Sequence, residues 1–248
     1  MPRQARRLSE SGIYHIMLRG INRQQIFEDP EDYDKFIDVL KACKEVSGFE
    51  IYAYCLMGNH IHLLIKPDKE PLELIFKRIG SRYVYWYNWK YNRTGHLFQD
   101  RFKSEPVDSD EYFLTVLRYI HCNPVKSGLT DDIFTYQYSS CEFYRNRKIS
   151  FVNTDFAFSI LPKDELLEFF CQQSDDCCMD ITPFNSRLND SDAGLIINEL
   201  FGIKNPIEIQ HLEISKRNSI LEELKKQGLS IRQISRLTGI SFNIVRKF

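Results

Sequence analysis

The chain has 248 residues, of which 43% are hydrophobic and 27% charged, an ordinary globular composition that can fill one large domain or two modest ones. No apolar run approaches the ~18 residues of a membrane span, which argues against a membrane protein. The basic start Met1-Pro2-Arg3-Gln4-Ala5-Arg6-Arg7 has no apolar stretch behind it, so no secretory leader is expected.

The formal charge of -1 is unevenly spread. Residues 1–148 carry 22 Lys+Arg against 20 Asp+Glu, residues 149–204 carry 3 against 10, and residues 205–248 carry 8 against 4. Within 76–103 there are seven basic residues (Lys77, Arg78, Arg82, Lys90, Arg93, Arg101 and Lys103) and one acid, Asp100, which marks a candidate phosphate-binding stretch. The seven cysteines are scattered without a CxxC pair, so they read as reduced thiols of a cytoplasmic protein rather than a disulfide frame or zinc site. The adjacent Cys177-Cys178 suggests no role.

In chain order, Ile13–Gly20 reads as a first strand, closed by the polar Asn22-Arg23-Gln24-Gln25. Pro30-Glu31-Asp32 opens a helix, since proline is tolerated at the first helical position and acids suit the positive end of the dipole. Tyr33, Phe36, Ile37, Leu40, Cys43 and Val46 repeat at helical spacing until Gly48. A strand follows from Phe49 to Leu56, then a turn or bulge at Met57-Gly58-Asn59, then a strand from His60 to Lys66 that Pro67 stops. A long helix from about Pro71 to Tyr91 places Leu72, Ile75, Phe76, Ile79, Tyr83, Trp86 and Tyr87 on a core face.

Phe98–Val107 predicts another strand, with Arg101 and Lys103 on one face. Asp108 and Glu111 resemble a capping box for a helix through Phe113, Val116, Leu117 and Ile120, ending where Asn123 meets Pro124. This order predicts an α+β fold: a ferredoxin-like antiparallel sheet with helices on one face, followed by a mainly helical C-terminal region.

Three regions are expected: a domain over 1–148, an acidic helical connection over 149–204, and a tail over 205–248. The connection has helical patterns at Leu166–Phe170 and Leu195–Phe201. In the tail, a helix with Leu221 and Leu224 ends at Gly228, and Ser230 caps a second with Ile231, Ile234 and Leu237. Thr238-Gly239 then turns, and Ser241 opens a third helix. This is a helix-turn-helix rhythm, leaving Asn243, Arg246 and Lys247 free to face DNA.

Strand side chains alternate faces, so His60 and His62 point the same way while Ile61 and Leu63 point into the core. Such a pair can serve as two metal ligands, though alone it equally describes a polar sheet face. Tyr119 and Asn123 are four apart and share a helical face. A phenol that titrates near ~10 is a poor nucleophile, but it can attack a phosphodiester when a divalent cation stabilises the developing charge. Asn123 could then offer its amide oxygen as a third ligand. Taken singly, Tyr119 could be a surface tyrosine and Asn123 a helix-terminal residue. His15, His96 and His121 read first as structural histidines.

Four blocks, in order, resemble the single-tyrosine HUH transposases of the IS200-like family, and within them the relatives associated with repetitive extragenic palindromes (REP). They are Tyr14-His15-Ile16-Met17-Leu18-Arg19-Gly20, Met57-Gly58-Asn59-His60-Ile61-His62-Leu63-Leu64, Gly95-His96-Leu97-Phe98-Gln99-Asp100-Arg101-Phe102-Lys103 and Leu117-Arg118-Tyr119-Ile120-His121-Cys122-Asn123-Pro124-Val125-Lys126. The likeness covers roughly residues 8–145. It implies an endonuclease that nicks single-stranded DNA at hairpin or palindromic ends and rejoins strands in DNA transposition. It implies His60 and His62 as metal ligands, Tyr119 as the nucleophile that takes the 5′ phosphate, Asn123 as a further metal ligand, and Mg²⁺ or Mn²⁺ as the cation. A homodimer is possible, because the resemblance extends to swapped dimers, in which Tyr119 would serve the partner's histidines, as well as to monomers.

With that resemblance, Arg101 and Lys103 become candidates to hold the DNA backbone, with Phe98 and Phe102 stacking on unpaired bases. Arg19, Arg23, Arg82, Lys126 and, in the tail, Arg246 are further candidates for DNA contact. The competing reading is a non-catalytic hairpin- or promoter-binding regulator on the same fold. A ferredoxin-like RNA binder ranks lower, because the aromatic-rich strand signature of that class is absent.

Overall fold

A computed structural model describes residues 6–146, 150–172, 178–179, 190–227 and 229–247. The chain divides into two compact units, Met1–Asp180 and Ile181–Phe248.

In the first unit, β1 (Tyr14–Arg19), β2 (Glu50–Met57), β3 (His60–Lys66) and β4 (Lys103–Pro106) form one antiparallel sheet in the order β2-β3-β1-β4. The helices α1 (Pro30–Ser47) and α2 (Leu72–Lys90) make the crossovers, which completes the expected ferredoxin-like connectivity. Asp29 caps α1 in a reciprocal box with Asp32, and Pro30 follows as its first residue, so the entry is fixed by local chemistry. Gly48 ends the helix at φ 72°, a left-handed conformation that glycine adopts without strain.

The sheet has two different faces. Ile16, Leu18, Ile61, Leu63 and Ile65 are buried in one continuous core that includes Phe36, Leu40, Ile75, Ile79 and Tyr83 of α1 and α2. The opposite parity carries His15, Met17 and Arg19 on β1, His60 and His62 on β3, and Lys103 and Glu105 on β4. On that face lies a third helix, α3 (Asp110–Lys126), whose Tyr119 ring meets those of His15 and His62. The outer edge of β2 is covered: Leu56 N–H donates to the Tyr138 carbonyl and Ser140 N–H to the Tyr54 carbonyl, each at 2.9 Å. A bare strand edge is thereby removed.

Three expectations about this region change. The strand predicted over Phe98–Val107 begins only at Lys103, because Asp100 takes a left-handed φ of 55° and turns the chain. Arg101 therefore lies outside the strand. The cap of α3 is Ser109, whose hydroxyl accepts from Tyr112 N–H at 3.1 Å, while Asp108 is occupied by Ser9 Oγ and the Glu10 N–H at 2.6 and 2.8 Å. The helix also does not stop at Pro124 but continues to Lys126. So near the helix end, the missing proline N–H costs a single backbone bond.

The described residues of the acidic stretch divide between the units. After the short α4 (Cys141–Asn146), Val152 joins the first core from the loop before α5 (Asp155–Ile160), as do Ala157 on α5 and Leu166 and Phe170 on α6 (Lys163–Cys171). Ala193 and Ile197, on α7 (Asp190–Phe201), join the second. The boundary expected at 148/149, the helix end expected at Gly228, and Cys177 lie outside the described residues.

The second unit packs α7 with α8 (Ile214–Lys226), α9 (Ile231–Thr238) and α10 (Phe242–Val245) around Leu221, Leu224, Ile234 and Val245. Ser230 caps α9 by accepting from Gln233 N–H at 3.2 Å, and Gly239 makes the turn at φ 72°. Among the described residues, no helix is long and apolar enough to cross a membrane.

Candidate active site

The sheet register assembles the site. Across the β1–β3 ladder, Arg19 faces His60 and Met17 faces His62; across β1–β4, Glu105 faces His15. Residues paired across strands share a face, and diagonal neighbours remain within reach of long or aromatic side chains. His15 and His62 are such diagonal neighbours, although 47 positions separate them in the chain. Their rings stack with centroids 5.2 Å apart, and His15 Nε2 lies 3.0 Å from His62 Nδ1. His60 stands edge-on to His62 at 5.1 Å, with its Nδ1 2.6 Å from Asn59 Oδ1.

The tyrosine comes from α3. Its ring centroid lies 5.7 Å from that of His62 and 5.8 Å from that of His15, edge to face in both cases. Asn123, one turn further on, donates from its amide Nδ2 to the Tyr119 carbonyl at 2.8 Å. That bond uses the nitrogen and leaves the amide oxygen to act as an acceptor. Lys126 places its ammonium 5.2 Å from the centre of the Tyr119 ring. Within one chain, then, the predicted tyrosine packs against His62, one of the two predicted histidines.

The electrostatics favour a neutral imidazole at His62. Burial, then the proximity of His15 and His60, hold His62 well below the ordinary imidazole range. Its Nε2 is buried and has no hydrogen-bond partner among the described residues. A neutral ring with an unsatisfied buried nitrogen fits a metal ligand, which must bring a lone pair. Among the described residues, no three His, Cys, Asp or Glu side chains gather as a metal cluster. Two imidazoles, the Asn123 amide oxygen and phosphate oxygens from a substrate would make up a mixed set that Mg²⁺ or Mn²⁺ accepts.

The DNA-contact candidates separate. Arg19 borders the histidines, and its Nε is buried without a hydrogen-bond partner among the described residues. Lys103, on β4, and Arg101 line a shallow depression with Arg6, Asp100, Phe102 and Ser104. Arg23 sits in the loop after β1, at a left-handed φ of 61°. Arg82 lies elsewhere, in a groove between α1 and α2 with Lys35, Trp86 and Trp89. Arg246 is exposed in the second unit. Phe102 does not present a free stacking face: it is buried against Phe76, with centroids 4.5 Å apart, and under the Arg6 guanidinium. Phe98 is half-buried against Tyr83.

Sequence reasoning passed over Glu105 and treated His15 as structural. His15 is fully buried, with Nδ1 3.3 Å from Glu105 Oε2. Burial pushes the Glu105 carboxyl up, but hydrogen bonds from His15, the Met179 backbone N–H and Tyr112 outweigh it and leave it below its ordinary value. One signal for His15 was present: it sits two and four residues before Met17 and Arg19, on the same strand parity.

Residues 9–123 match the family model described as "Transposase IS200 like". Over 161 residues the chain is 28% identical to a Haemophilus influenzae protein assigned as a REP-associated tyrosine transposase, a match spanning 60% of this chain and 89% of the relative. A solved structure of a REP-associated tyrosine transposase bound to a REP hairpin aligns with a TM-score of 0.52 at 18% identity, over 73% of this chain and 94% of that one. At that identity the structural likeness speaks for the fold alone.

Proposed function

Since residues 9–123 belong to the IS200-like transposases, we propose that the chain nicks and rejoins single-stranded DNA at hairpin-flanked ends, with Tyr119 as nucleophile. The observation that carries this reading is the packing of the Tyr119 ring against His62 at 5.7 Å within one chain. That contact supports a site assembled in cis, from the tyrosine and a histidine of one chain. The hairpin bound by the solved relative supports an imperfect palindrome as the substrate class.

Tyr119 Oη, buried in the free chain, gives up its proton to water that enters with the DNA strand and forms a bond to the phosphorus of a phosphodiester. The bond from phosphorus to the 3′ oxygen breaks, and that oxygen leaves with the electron pair, takes up a proton and becomes a free 3′ hydroxyl. The 5′ phosphate stays on Tyr119. In the return step the 3′ hydroxyl of another end attacks the phosphotyrosine, and Tyr119 departs as a phenol. One phosphodiester is exchanged for another, so no external energy source is required.

His60, His62 and the Asn123 amide oxygen would hold a divalent cation. When bound, such an ion polarises the phosphate oxygens and offsets their growing charge. Arg19, Lys103 and Arg101 hold the backbone of the strand as it enters. Arg23 and Lys126 flank the same region, whereas Arg82 would meet DNA only on the side of α1 and α2. The pair α9 and α10, with Arg246, adds contact to flanking duplex.

The test is a single-stranded oligonucleotide carrying an imperfect hairpin, incubated with the full chain and Mn²⁺. We expect a denaturation-resistant protein–DNA adduct that disappears with Tyr119→Phe while folding is unchanged. An adduct that persists in that variant would overturn the assignment. Hairpin binding with no nicking in either Mg²⁺ or Mn²⁺ would return the chain to the class of non-catalytic DNA-binding regulators.

A further inference from the structure

We propose that Glu105 and His15 form a proton-ordering relay that fixes the tautomer of His62, so that its Nε2 always presents a lone pair to the metal position. The inference deepens the metal reading given above and rests on it. It starts from three atoms in series: Glu105 Oε2 is 3.3 Å from His15 Nδ1, and His15 Nε2 is 3.0 Å from His62 Nδ1. At the end of the series is His62 Nε2, buried and unsatisfied among the described residues.

Proton bookkeeping gives the series a direction. A carboxylate can only accept, so the hydrogen between Glu105 and His15 belongs to His15 Nδ1. A neutral His15 then has its lone pair on Nε2, and the hydrogen of the second bond must come from His62 Nδ1. A neutral His62 in turn has its lone pair on Nε2. The reverse arrangement needs a cationic His15 in a fully buried position, and it places a hydrogen on His62 Nε2. That N–H would be a buried donor with no acceptor among the described residues, and it could not bind a cation.

The rest of the structure supports that direction. Glu105 also accepts from the Met179 backbone N–H at 3.0 Å and from Tyr112, so its oxygens are fixed and committed as acceptors. A free neutral histidine side chain favours the other tautomer, with hydrogen on Nε2, so a position that demands Nδ1–H needs an acceptor built beside it. Metal-bound histidines generally have such an outer partner, and its removal typically costs about 10–100-fold in metal affinity. Here that partner is a second histidine backed by a carboxylate. Both are positioning residues, since they act on the metal position only through His62.

The decisive measurement is the tautomeric state of His62 in the metal-free full chain, read from the ¹⁵N shifts of its two ring nitrogens. We expect hydrogen on Nδ1 and none on Nε2, with the same pattern for His15. In Glu105→Gln, which keeps size and shape, the neutral amide can present either oxygen or nitrogen to His15, so the direction is lost. His62 should then populate the Nε2–H form, and Mn²⁺ binding should weaken about tenfold, the near end of the usual range for an outer partner.

His15→Phe, which keeps a ring and removes both nitrogens, should weaken Mn²⁺ binding further. Hydrogen on His62 Nε2 in the unaltered chain would overturn the relay, as would a Glu105→Gln variant with unchanged tautomer and unchanged Mn²⁺ affinity. If the Nδ1–H tautomer is present and sensitive to Glu105→Gln but the unaltered chain binds no Mn²⁺, the relay's proton order stands and the metal reading of the site fails.

Discussion

The ammonium of Lys126 stands over the ring of Tyr119, 5.2 Å from its centre, two helical turns along α3. It reaches that place only because the helix continues past Pro124. A cation there stabilises the negative charge that the phenol gathers as it gives up its proton, so it favours the phenolate that attacks. Lys126 is exposed, and exposed cation–π contacts contribute about 0.5–1 kcal/mol. Lys126→Met keeps the aliphatic stem and removes the charge, so single-turnover adduct formation should slow by roughly two- to fivefold, the rate equivalent of that range. Hairpin affinity should fall much less. Equal loss in rate and affinity would mean that Lys126 simply holds DNA.

Asn123 is one turn from Tyr119 and ties its Nδ2 to the tyrosine carbonyl at 2.8 Å. If its oxygen is a ligand, Asn123→Ala should weaken Mn²⁺ binding in calorimetry by about tenfold or more. Asn123→Asp exchanges a neutral oxygen for an anionic one, which hard cations prefer, and should restore or exceed the original affinity. Should both variants weaken binding alike, the side chain's role is to cap the Tyr119 carbonyl and not to coordinate.

Strand parity and helical spacing made much of this site readable in advance. The period-two pattern placed His60 and His62 together, and the four-residue spacing placed Tyr119 and Asn123 on one face. The strand and helix order already contained the ferredoxin-like connectivity. What escaped depends on register and on tertiary competition. His15 meets His62 only because β1 and β3 pair in one particular alignment, which no local pattern states. Asp108 looked like a cap, but the serine turn at Ser9–Ser11 claims it, and the cap passes to Ser109. Proline was read as a helix stop, yet burial of Asn123 and Pro124 keeps the last turn in place.

Ser140 is a small residue with a disproportionate share of buried bonds. Its hydroxyl accepts from Tyr54 N–H at 2.8 Å, donates to the Tyr54 carbonyl at 3.2 Å, and lies 2.9 Å from His121 Nε2. Ser140→Ala would strand a backbone donor on the edge of β2 and a ring donor behind α3. Each unsatisfied buried group costs about 1–3 kcal/mol, so urea unfolding at pH 7.5 should show a loss of roughly 2–6 kcal/mol for the two. The Mn²⁺ affinity of the folded variant should be unchanged, because Ser140 touches neither His60 nor His62. A stability equal to the original would mean that water takes over the hydroxyl's bonds.

His121 makes the fold acid-sensitive, and the sign can be worked out. Its ring is fully buried between Tyr144 and Phe170, with Nε2 bonded to Ser140 and Nδ1 without a partner among the described residues. Burial pushes its pKa down from the ordinary 6.5 to about 3. Between those values the unfolded chain binds a proton that the folded chain refuses, so the contribution is fully present above pH 6.5 and is lost as pH falls toward 3. By pH 5 the loss amounts to about 2 kcal/mol. His62 titrates in the same sense, so the share of His121 must be isolated by difference. His121→Phe retains an aromatic ring and gives up the proton site; it should be less stable than the original at pH 7.5, through the lost bond to Ser140. Between pH 7.5 and pH 5, however, it should lose about 2 kcal/mol less than the original chain in urea unfolding. Identical pH slopes for the two proteins would mean that His121 charges without penalty in the folded state, against everything its surroundings imply.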